Sequence, residues 1–444
     1  MHLLVGSTAS DPGSRFRRGV VVITMVGAAW RAVMLVSKWR APLAFGDAWY
    51  YSIQAINNAD GRWFKEAGGS FELWGVLPGA EHPPLTSVLI TPASLLPQPE
   101  FWQRATLTLI GIALIPLVAL LGRAVGGRVA GLLAAALAAV YPNLWLSDSL
   151  VMSETVTVCM VVIVLLLALR HRDRFTWGTA AALGATIGLA GHARSELLMY
   201  APLLAFVGLR SRPVRDWLAR AGVVTIVALL TVTPWIAFNS SRFHTFVAMS
   251  TNEGSTWLGA NCPPTYSGPA MGGWILDCLE DPSPPSGENT AERSARRRSA
   301  TFTYMSDHAT RVPLVVGARV LRAADLFGLS ENVRADAAEE RPRWAIWLGM
   351  VCWWLLAPLA AFGLWRMRPG VRWVMSVPVI GVLAVTVVFY GSHRLRAPLE
   401  PVVVVAAACA LATMLRPWFV RRQWVEPQVS EPEPTQGEAA PLTA

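Results

Sequence analysis

The chain has 444 residues, of which 53% are hydrophobic and only 15% are charged, and its mean hydropathy is +0.41. This much apolar surface exceeds what one soluble core can bury, so the composition excludes an ordinary soluble globular protein and indicates a chain solvated by lipid. The net charge of +9 does not indicate nucleic-acid binding, because the arginines lie between apolar segments and mark membrane topology.

Ten apolar segments are predicted to be membrane spans, because a bilayer core about 30 Å thick is crossed by about 20 mostly apolar residues. They are residues 19–37, 104–122, 129–146, 153–169, 176–191, 197–209, 221–238, 344–365, 373–390 and 397–415. The first is expected to be an uncleaved span, since arginines precede it and no small-residue cleavage site follows it. The predicted fold class is an all-α polytopic membrane protein.

The distribution of arginines predicts that the N-terminus lies in the cytoplasm. With this orientation every predicted inner loop is short and basic, and these loops are residues 123–128, 170–174, 210–220, 366–372 and 416–422. The apolar run 85–96 is bracketed by prolines and is too short for a comfortable crossing. A juxtamembrane or re-entrant helix on the outer side is expected there.

This topology predicts five regions along the chain. A cytoplasmic tail at 1–18 precedes a transmembrane catalytic core at 19–238, which contains a first outer loop at 38–103. A large outer loop at 239–343 precedes the C-terminal transmembrane helices at 344–415. The Pro- and Glu-rich segment 416–444 is expected to be a disordered cytoplasmic tail. The prediction is a multi-pass protein of the cell membrane with its site on the extracytoplasmic side.

Two of the five cysteines, Cys262 and Cys278, lie outside the apolar spans and share the large outer loop. A disulfide between them would fit an oxidising exterior, and two free thiols are the alternative. Cys159, Cys352 and Cys409 lie in predicted spans and are expected to be small packing residues.

Ionisable residues that do not mark topology gather on the predicted outer side. They are Asp47, Glu81, His82, Asp148, Glu154, Arg194, Glu196, His393, Arg394 and Arg396. Acidic side chains near membrane depth are costly and usually functional. Structural roles stay open: Asp47 could cap a helix, Glu154 and Glu196 could pair with Arg194, and Arg394 and Arg396 could anchor a helix end at lipid headgroups.

Four short motifs follow one another along the chain. They are Gly46-Asp47 with Tyr50-Tyr51, then His82-Pro83-Pro84-Leu85, then a span led by Arg104, then Ser153-Glu154. In this order the chain resembles the GT-C superfamily of membrane glycosyltransferases, and within it family 39 in the broad sense. That family includes dolichyl-phosphate-mannose protein mannosyltransferases and aminoarabinose transferases. The resemblance implies a GT-C fold with about ten transmembrane helices and outer juxtamembrane helices.

The resemblance also implies an activity. The expected enzyme is an inverting hexosyl or pentosyl transferase that moves a sugar from a polyprenyl-phosphate donor to a glycan, lipid or protein acceptor. Asp47 matches the family's catalytic acid and is expected to be the general base. Glu81 matches the acid before Pro-Pro in the aminoarabinose branch, and His82 matches the residue before Pro-Pro in the mannosyl branch. Ala48 departs from the family pattern, in which a second acid often follows the first.

A leaving phosphate needs cationic or hydrogen-bonding partners, and an acceptor needs polar groups that orient it. The residues expected to bind the donor phosphate or the acceptor are Glu81, His82, Arg194, Arg394, Arg396, Tyr50 and Tyr51. Asp148, Glu154 and Glu196 are expected to support them. No Asp-x-Asp motif or tight His/Glu cluster demands a metal, and a divalent ion stays open as a cofactor.

The large outer loop is expected to form a lid and the acceptor side. Within it, Arg293, Arg296, Arg297 and Arg298 begin an amphipathic stretch that reaches toward Leu326. This stretch is predicted either to bind the donor phosphate or to lie at an anionic lipid surface.

Two other classes of function compete with an enzyme. A transporter or flippase of lipid-linked sugars would also have many spans, but such proteins usually have paired halves with a midplane site. This chain has no internal repeat, and its polar groups cluster at one face. The third class is a non-catalytic scaffold that binds polyprenyl lipid. The sequence does not indicate the sugar, the acceptor or the oligomeric state.

Overall fold

The computed structural model describes residues 12–66, 77–207, 213–280 and 287–416. Apart from one antiparallel bridge between Lys65 and Pro78, these residues form helices and loops. The helices are α1 Pro12–Ser37, α2 Asp47–Ala59, α3 Leu85–Ile90, α4 Pro99–Val140, α5 Pro142–Trp145, α6 Glu154–Arg174, α7 Trp177–Gly191, α8 Tyr200–Ala205, α9 Val214–Phe243, α10 Glu253–Ala260, α11 Pro263–Tyr266, α12 Thr290–Asp307, α13 Val312–Ala323, α14 Leu329–Ala338, α15 Arg343–Arg366, α16 Pro369–Val388 and α17 Glu400–Met414. Short 3-10 turns lie at Pro92–Leu95, Ser195–Met199, Leu276–Leu279, Ala309–Arg311 and Arg394–Leu399.

Within the described ranges, seven helices are long and apolar enough to cross a membrane. They are α1, α4, α6, α9, α15, α16 and α17 together with the turn before it. The chain is therefore a multi-pass membrane protein, as its composition predicts. Two of the ten predicted spans are shorter than a full crossing: α7 has 15 residues, and the segment 195–205 has 11.

The 42-residue helix α4 accounts for two predicted spans, because it folds back on itself at Gly127. Gly127 has a φ of +82°, a conformation that L side chains rarely adopt. Beyond the bend the two halves pack closely. A β-carbon added to Gly131 would lie 2.7 Å from the carbonyl oxygen of Ala119. This hairpin confirms the predicted break between 104–122 and 129–146.

The main core lies where α4, α6, α7, α16 and α17 meet. The run Val402–Ala408 of α17 is almost fully buried because α4 and α15 cover it from two sides. By contrast, apolar residues of α1 such as Val22 and Met25 are more than half exposed. Such surfaces are expected where a helix faces lipid.

The segment 239–343, predicted as the large outer loop, contains helices α10 to α14. A disulfide joins Cys262 to Cys278, as the sequence predicts. The predicted amphipathic stretch from 293 forms most of α12 and all of α13. The backbone N–H of Thr251 donates to the Ala80 carbonyl over 2.7 Å, so this segment contacts the first loop.

Three further expectations concern the ends of the chain and the run 85–96. The run forms the short helix α3 and a 3-10 turn, as expected for a segment that does not cross the membrane. Helix α1 begins at Pro12, so the predicted boundary between tail and span at residue 19 lies within a helix. The predicted disordered tail at 416–444 lies outside the described residues from 417 onward.

Candidate active site

Asp47 is the first residue of α2, in a position where the helix N-terminus favours a carboxylate. One carboxylate oxygen, Oδ1, lies 3.2 Å from Nε2 of His82, and the other accepts a hydrogen bond from Nη2 of Arg394. Burial alone would raise the pKa of Asp47, but the charges of Arg394 and His82 hold it well below its usual value. Asp47 is therefore an ionised carboxylate in the empty site.

Arg394 joins three parts of the chain through its guanidinium group. It lies in the turn before α17 and donates to Asp47 of α2, to Glu154 at the start of α6, and to Glu339 just after α14. A guanidinium group has five N–H donors in a fixed planar fork, so it can bind several carboxylates at once. Arg394 therefore fixes the position of Asp47 relative to the core.

Arg341 is a second buried guanidinium group beside Arg394. It donates to Glu339 and lies 3.6 Å from Asp336 and 3.9 Å from Glu154. Burial would lower the pKa of Arg341, but these carboxylates raise it, so it remains a cation. Arg341 and Arg394 line a small cleft. The other lining residues are Asn143, Leu146, Ser147, Glu154, His393, Ala397 and Glu400.

His393 is held between two carboxylates. Its Nε2 contacts Asp336, and its Nδ1 lies 3.5 Å from Asp325. Burial would lower the pKa of His393, but Asp336 and Asp325 raise it to about 9. The imidazole is therefore charged near neutral pH and serves as a fixed cation of the cluster, rather than as a free base.

The aromatic residues of the first motif contact His82. The rings of Tyr50 and Tyr51 lie 4.9 and 5.0 Å from the His82 ring, centroid to centroid. Burial raises the pKa of Glu81, although the charges of His82, Arg293 and Arg297 act to lower it. His82 therefore belongs to the Asp47 side of the site.

The other predicted site residues have separate partners. Arg194 pairs with Glu196 at 2.6 Å, which corresponds to the structural alternative for these two residues. Asp148 pairs with Arg31 of α1 at 2.7 Å and accepts from Thr155. Arg396 donates to Glu400, lies 2.9 Å from Asp325 and is almost fully buried, so it does not anchor a helix end at lipid headgroups.

No protein-family model matches this sequence, and no curated protein sequence matches it. Solved structures do match. The oligosaccharyltransferase of Archaeoglobus fulgidus in its apo form is 16% identical, with a TM-score of 0.56 over 92% of this chain and 51% of that chain. The archaeal oligosaccharyltransferase AglB from the same organism, in complex with an inhibitory peptide and a dolichol-phosphate, is 15% identical. Its TM-score is 0.55 over 94% of this chain and 52% of that chain.

This chain has the GT-C fold. It spans about half the length of the oligosaccharyltransferases that it matches. ArnT from Cupriavidus metallidurans bound to undecaprenyl phosphate also aligns, at 16% identity and a TM-score of 0.42 over 91% of this chain and 78% of that one.

Sequence reasoning missed two members of this candidate site, Glu339 and Arg341. Neither belongs to a recognisable motif, and both lie in a long loop that offers no hydrophobic periodicity to place them. One local signal was available, because the charged run Glu339-Glu340-Arg341 directly precedes Pro342 and the apolar helix α15. Charged residues next to a span are either topology signals or site residues, and here they lie on the predicted outer side.

The described residues contain no group of three or more His, Cys, Asp or Glu side chains placed to hold a metal ion. The carboxylates of Asp47, Glu154 and Glu339 are instead bound by the guanidinium group of Arg394. The possible divalent ion stays a prediction.

Proposed function

We propose that this chain is a glycosyltransferase that moves a sugar from a polyprenyl-phosphate donor to an acceptor on the extracytoplasmic side of the membrane. One observation carries the proposal: the Asp47 carboxylate is held between His82 and Arg394 beside a cleft that two arginines line. The GT-C fold supports it. The order of the motifs at 46–51 and 82–85 favours family 39 in the broad sense.

In the proposed reaction, a hydroxyl or amine of the acceptor attacks the anomeric carbon of the sugar. The bond from this carbon to the donor phosphate oxygen breaks, and its electron pair leaves with the polyprenyl phosphate. Asp47 accepts the proton that the acceptor loses. Because a single displacement occurs from the face opposite the leaving group, the configuration at the anomeric carbon is inverted.

Arg394 and Arg341 are suited to hold the phosphate that leaves. Both line the cleft, and Arg–phosphate pairs are among the stronger hydrogen-bonded contacts in proteins. Arg394 also lowers the basicity of Asp47 in the empty site. If a donor phosphate draws Arg394 away from Asp47, the carboxylate becomes a stronger base at the moment a proton must be taken.

Three observations support the proposed donor and the proposed side of the membrane. An AglB structure of the same fold is in complex with a dolichol-phosphate, which is a polyprenyl phosphate in the wider sense. The disulfide between Cys262 and Cys278 suits an oxidising exterior, and it lies in the same segment 239–343 as Glu339 and Arg341. The predicted inner loops are short and basic, as expected of the cytoplasmic side.

The test is sugar transfer from radiolabelled polyprenyl-phosphate donors that carry different sugars. Membranes that contain the chain are compared with membranes from cells carrying the empty vector, and the label is followed into acceptors extracted from each. We expect label to enter a glycan, lipid or protein fraction only with the chain present. Movement of intact donor across the membrane, with no transfer for any sugar, would contradict the proposal and favour a flippase.

A further inference from the structure

The carboxylate of Glu339 bridges the two arginines of the cleft. Its Oε1 accepts from Nη1 of Arg394, and its Oε2 accepts from Nη1 of Arg341. A phosphate can bind a pair of arginines in the same way, with two oxygens of one phosphorus each facing a guanidinium group. Glu339 therefore occupies an anion site.

The charge around this site limits what can be added to it. The four carboxylates of Asp47, Glu154, Asp336 and Glu339 contact the three cations Arg341, His393 and Arg394. A further anion would enter a cluster whose cations are already matched, and like charges at a few ångströms repel strongly in a partly buried site. A phosphate can bind both arginines only if one carboxylate withdraws.

Glu339 is the carboxylate best placed to withdraw. Glu154 is 3% exposed, so its displacement would leave a charge buried without a partner, whereas the side chain of Glu339 is 28% exposed. Asp47 has a similar exposure, but it contacts Arg394 and not Arg341, so its withdrawal would not free both arginines. Burial and the nearby Asp336 and Asp47 raise the pKa of Glu339, which agrees with a less stabilised anion.

The backbone next to Glu339 is held in place by contacts of Glu340. The Glu339 side chain can therefore rotate while the loop after α14 keeps its position. The carboxylate of the next residue, Glu340, accepts from Arg104 and from the backbone N–H of Ala44, each over 2.8 Å, and pairs with Lys38 at 3.3 Å. These contacts attach the end of α14 to the first loop. Rotation of the Glu339 side chain toward solvent is then sufficient to free both arginines.

We infer that the Glu339 carboxylate occupies the position between Arg341 and Arg394 that the phosphate of a lipid-linked substrate takes, and that it leaves when the phosphate binds. The identity of the phosphate as a lipid headgroup rests on the proposed function. Glu339 is thus a built-in competitor that lowers the affinity of the site for phosphate. It keeps both arginines paired while the site is empty.

The experiment measures dissociation constants on the full-length chain in nanodiscs of zwitterionic lipid. The probes are undecaprenyl phosphate, neutral undecaprenol and inorganic phosphate. Glu339→Gln removes the competing charge with little change in shape. Glu331→Gln is the matched control, because Glu331 lies in α14, which Glu339 directly follows, and pairs there with Arg334. Glu339→Asp is a second variant that keeps the charge but is one methylene too short to span both arginines.

We expect Glu339→Gln to tighten binding of undecaprenyl phosphate about tenfold, since charged hydrogen bonds that compete with the ligand are lost. Glu339→Asp is expected to tighten it less. Glu331→Gln should bind undecaprenyl phosphate as the wild-type chain does, and the affinity for undecaprenol should stay unchanged in every variant. Unchanged or weaker binding of both undecaprenyl phosphate and inorganic phosphate in Glu339→Gln would overturn the inference. If that variant does not fold, an unchanged affinity in Glu339→Asp would overturn it.

The outcomes separate this inference from the proposed function. A tighter affinity for inorganic phosphate but not for undecaprenyl phosphate would support Glu339 as the competitor and overturn the lipid as the source of the phosphate. If the wild-type chain transfers sugar but Glu339→Gln does not change the affinity for either phosphate probe, only the inference is overturned. Tighter binding in a chain that transfers no sugar would support the inference and contradict the proposed function.

Discussion

Arg394 and Arg396 lie two residues apart in the same turn, and each binds more than one carboxylate, yet their surroundings differ. Arg396 bonds to Asp325 at 2.9 Å and to Glu400 at 2.6 Å, and all three side chains are at most 2% exposed. The carboxylates of Asp47 and Glu339 on Arg394 are 27% and 28% exposed. The fully buried set around Arg396, here called the sealed cluster, suits a structural role, whereas the partly exposed set around Arg394, here called the open cluster, can exchange a partner for a ligand.

The sealed cluster is also bound by neighbouring residues. Tyr141 and Asn143 donate to Glu400, and Arg396 donates to the Ala323 carbonyl and lies 3.7 Å from the centre of the Trp353 ring. This set joins the start of α17 to α5, α13 and α15. The open cluster instead joins α2, α6 and the end of α14 around the cleft.

The largest expected effect comes from breaking the sealed cluster. Arg396→Ala leaves Glu400 buried without its cation and Asp325 with His393 alone, which costs about 3–5 kcal/mol of folding free energy. We expect a large loss of thermal stability in detergent or nanodiscs, measured by unfolding of the purified chain. The fraction that stays folded should keep its rate of sugar transfer, because Arg396 does not contact Asp47. Normal stability with lost transfer would place Arg396 in the site.

The second effect tests the residue that links the two clusters. His393 contacts Asp325, the partner of Arg396, and Asp336, a neighbour of Arg341. Its pKa is raised from 6.5 to about 9, so its contribution to stability is full below pH 6.5 and is lost as the pH rises through about 9. The free energy of unfolding is expected to fall by about 3 kcal/mol across this range.

The check for His393 is a comparison of unfolding at several pH values in the wild-type chain and in His393→Asn. The variant has no imidazolium to lose, so its stability should depend much less on pH between 6.5 and 9. Equal pH dependence in the two proteins would show that His393 is not the group that titrates.

The third effect concerns the open cluster. Arg394→Lys keeps the positive charge but loses the planar fork, so it cannot bind Asp47, Glu154 and Glu339 together or hold a phosphate with two bonds. We expect transfer to fall about a hundredfold, with a smaller loss of stability than in Arg396→Ala. Arg334→Lys is a matched control, because Arg334 is largely exposed and pairs only locally with Glu331. Full transfer by Arg394→Lys would remove Arg394 from the mechanism.

Much of the fold could be predicted from the sequence, because lipid demands long apolar helices and leaves a strong compositional signal. The break in α4 also follows from local chemistry, since Gly126-Gly127 and the arginines around it cannot continue an apolar span. The disulfide between Cys262 and Cys278 was predicted from their place outside the spans and is confirmed. The lengths of the short helices α7 and α8 were harder to predict, because apolar composition does not by itself determine helix length.

The site could be predicted only in part. Asp47, His82 and Glu154 belong to ordered motifs, and the structure brings them together with Arg394. The roles of Arg394 and Arg396 could not be separated, since residues two positions apart in a turn differ only in what other elements pack against them. Glu339 and Arg341 join the site through the path of the segment 239–343, which no local pattern encodes.

The central claim is that Asp47 is the base for sugar transfer, and the most direct test is transfer by purified Asp47→Asn beside Asp60→Asn. Asp60 follows the same helix α2 but is exposed and pairs with Arg62, so its variant controls for handling and expression. We predict that Asp47→Asn loses about 10²- to 10⁴-fold in transfer rate, while Asp60→Asn keeps the wild-type rate. Wild-type transfer by Asp47→Asn, with both variants equally folded, would contradict the account.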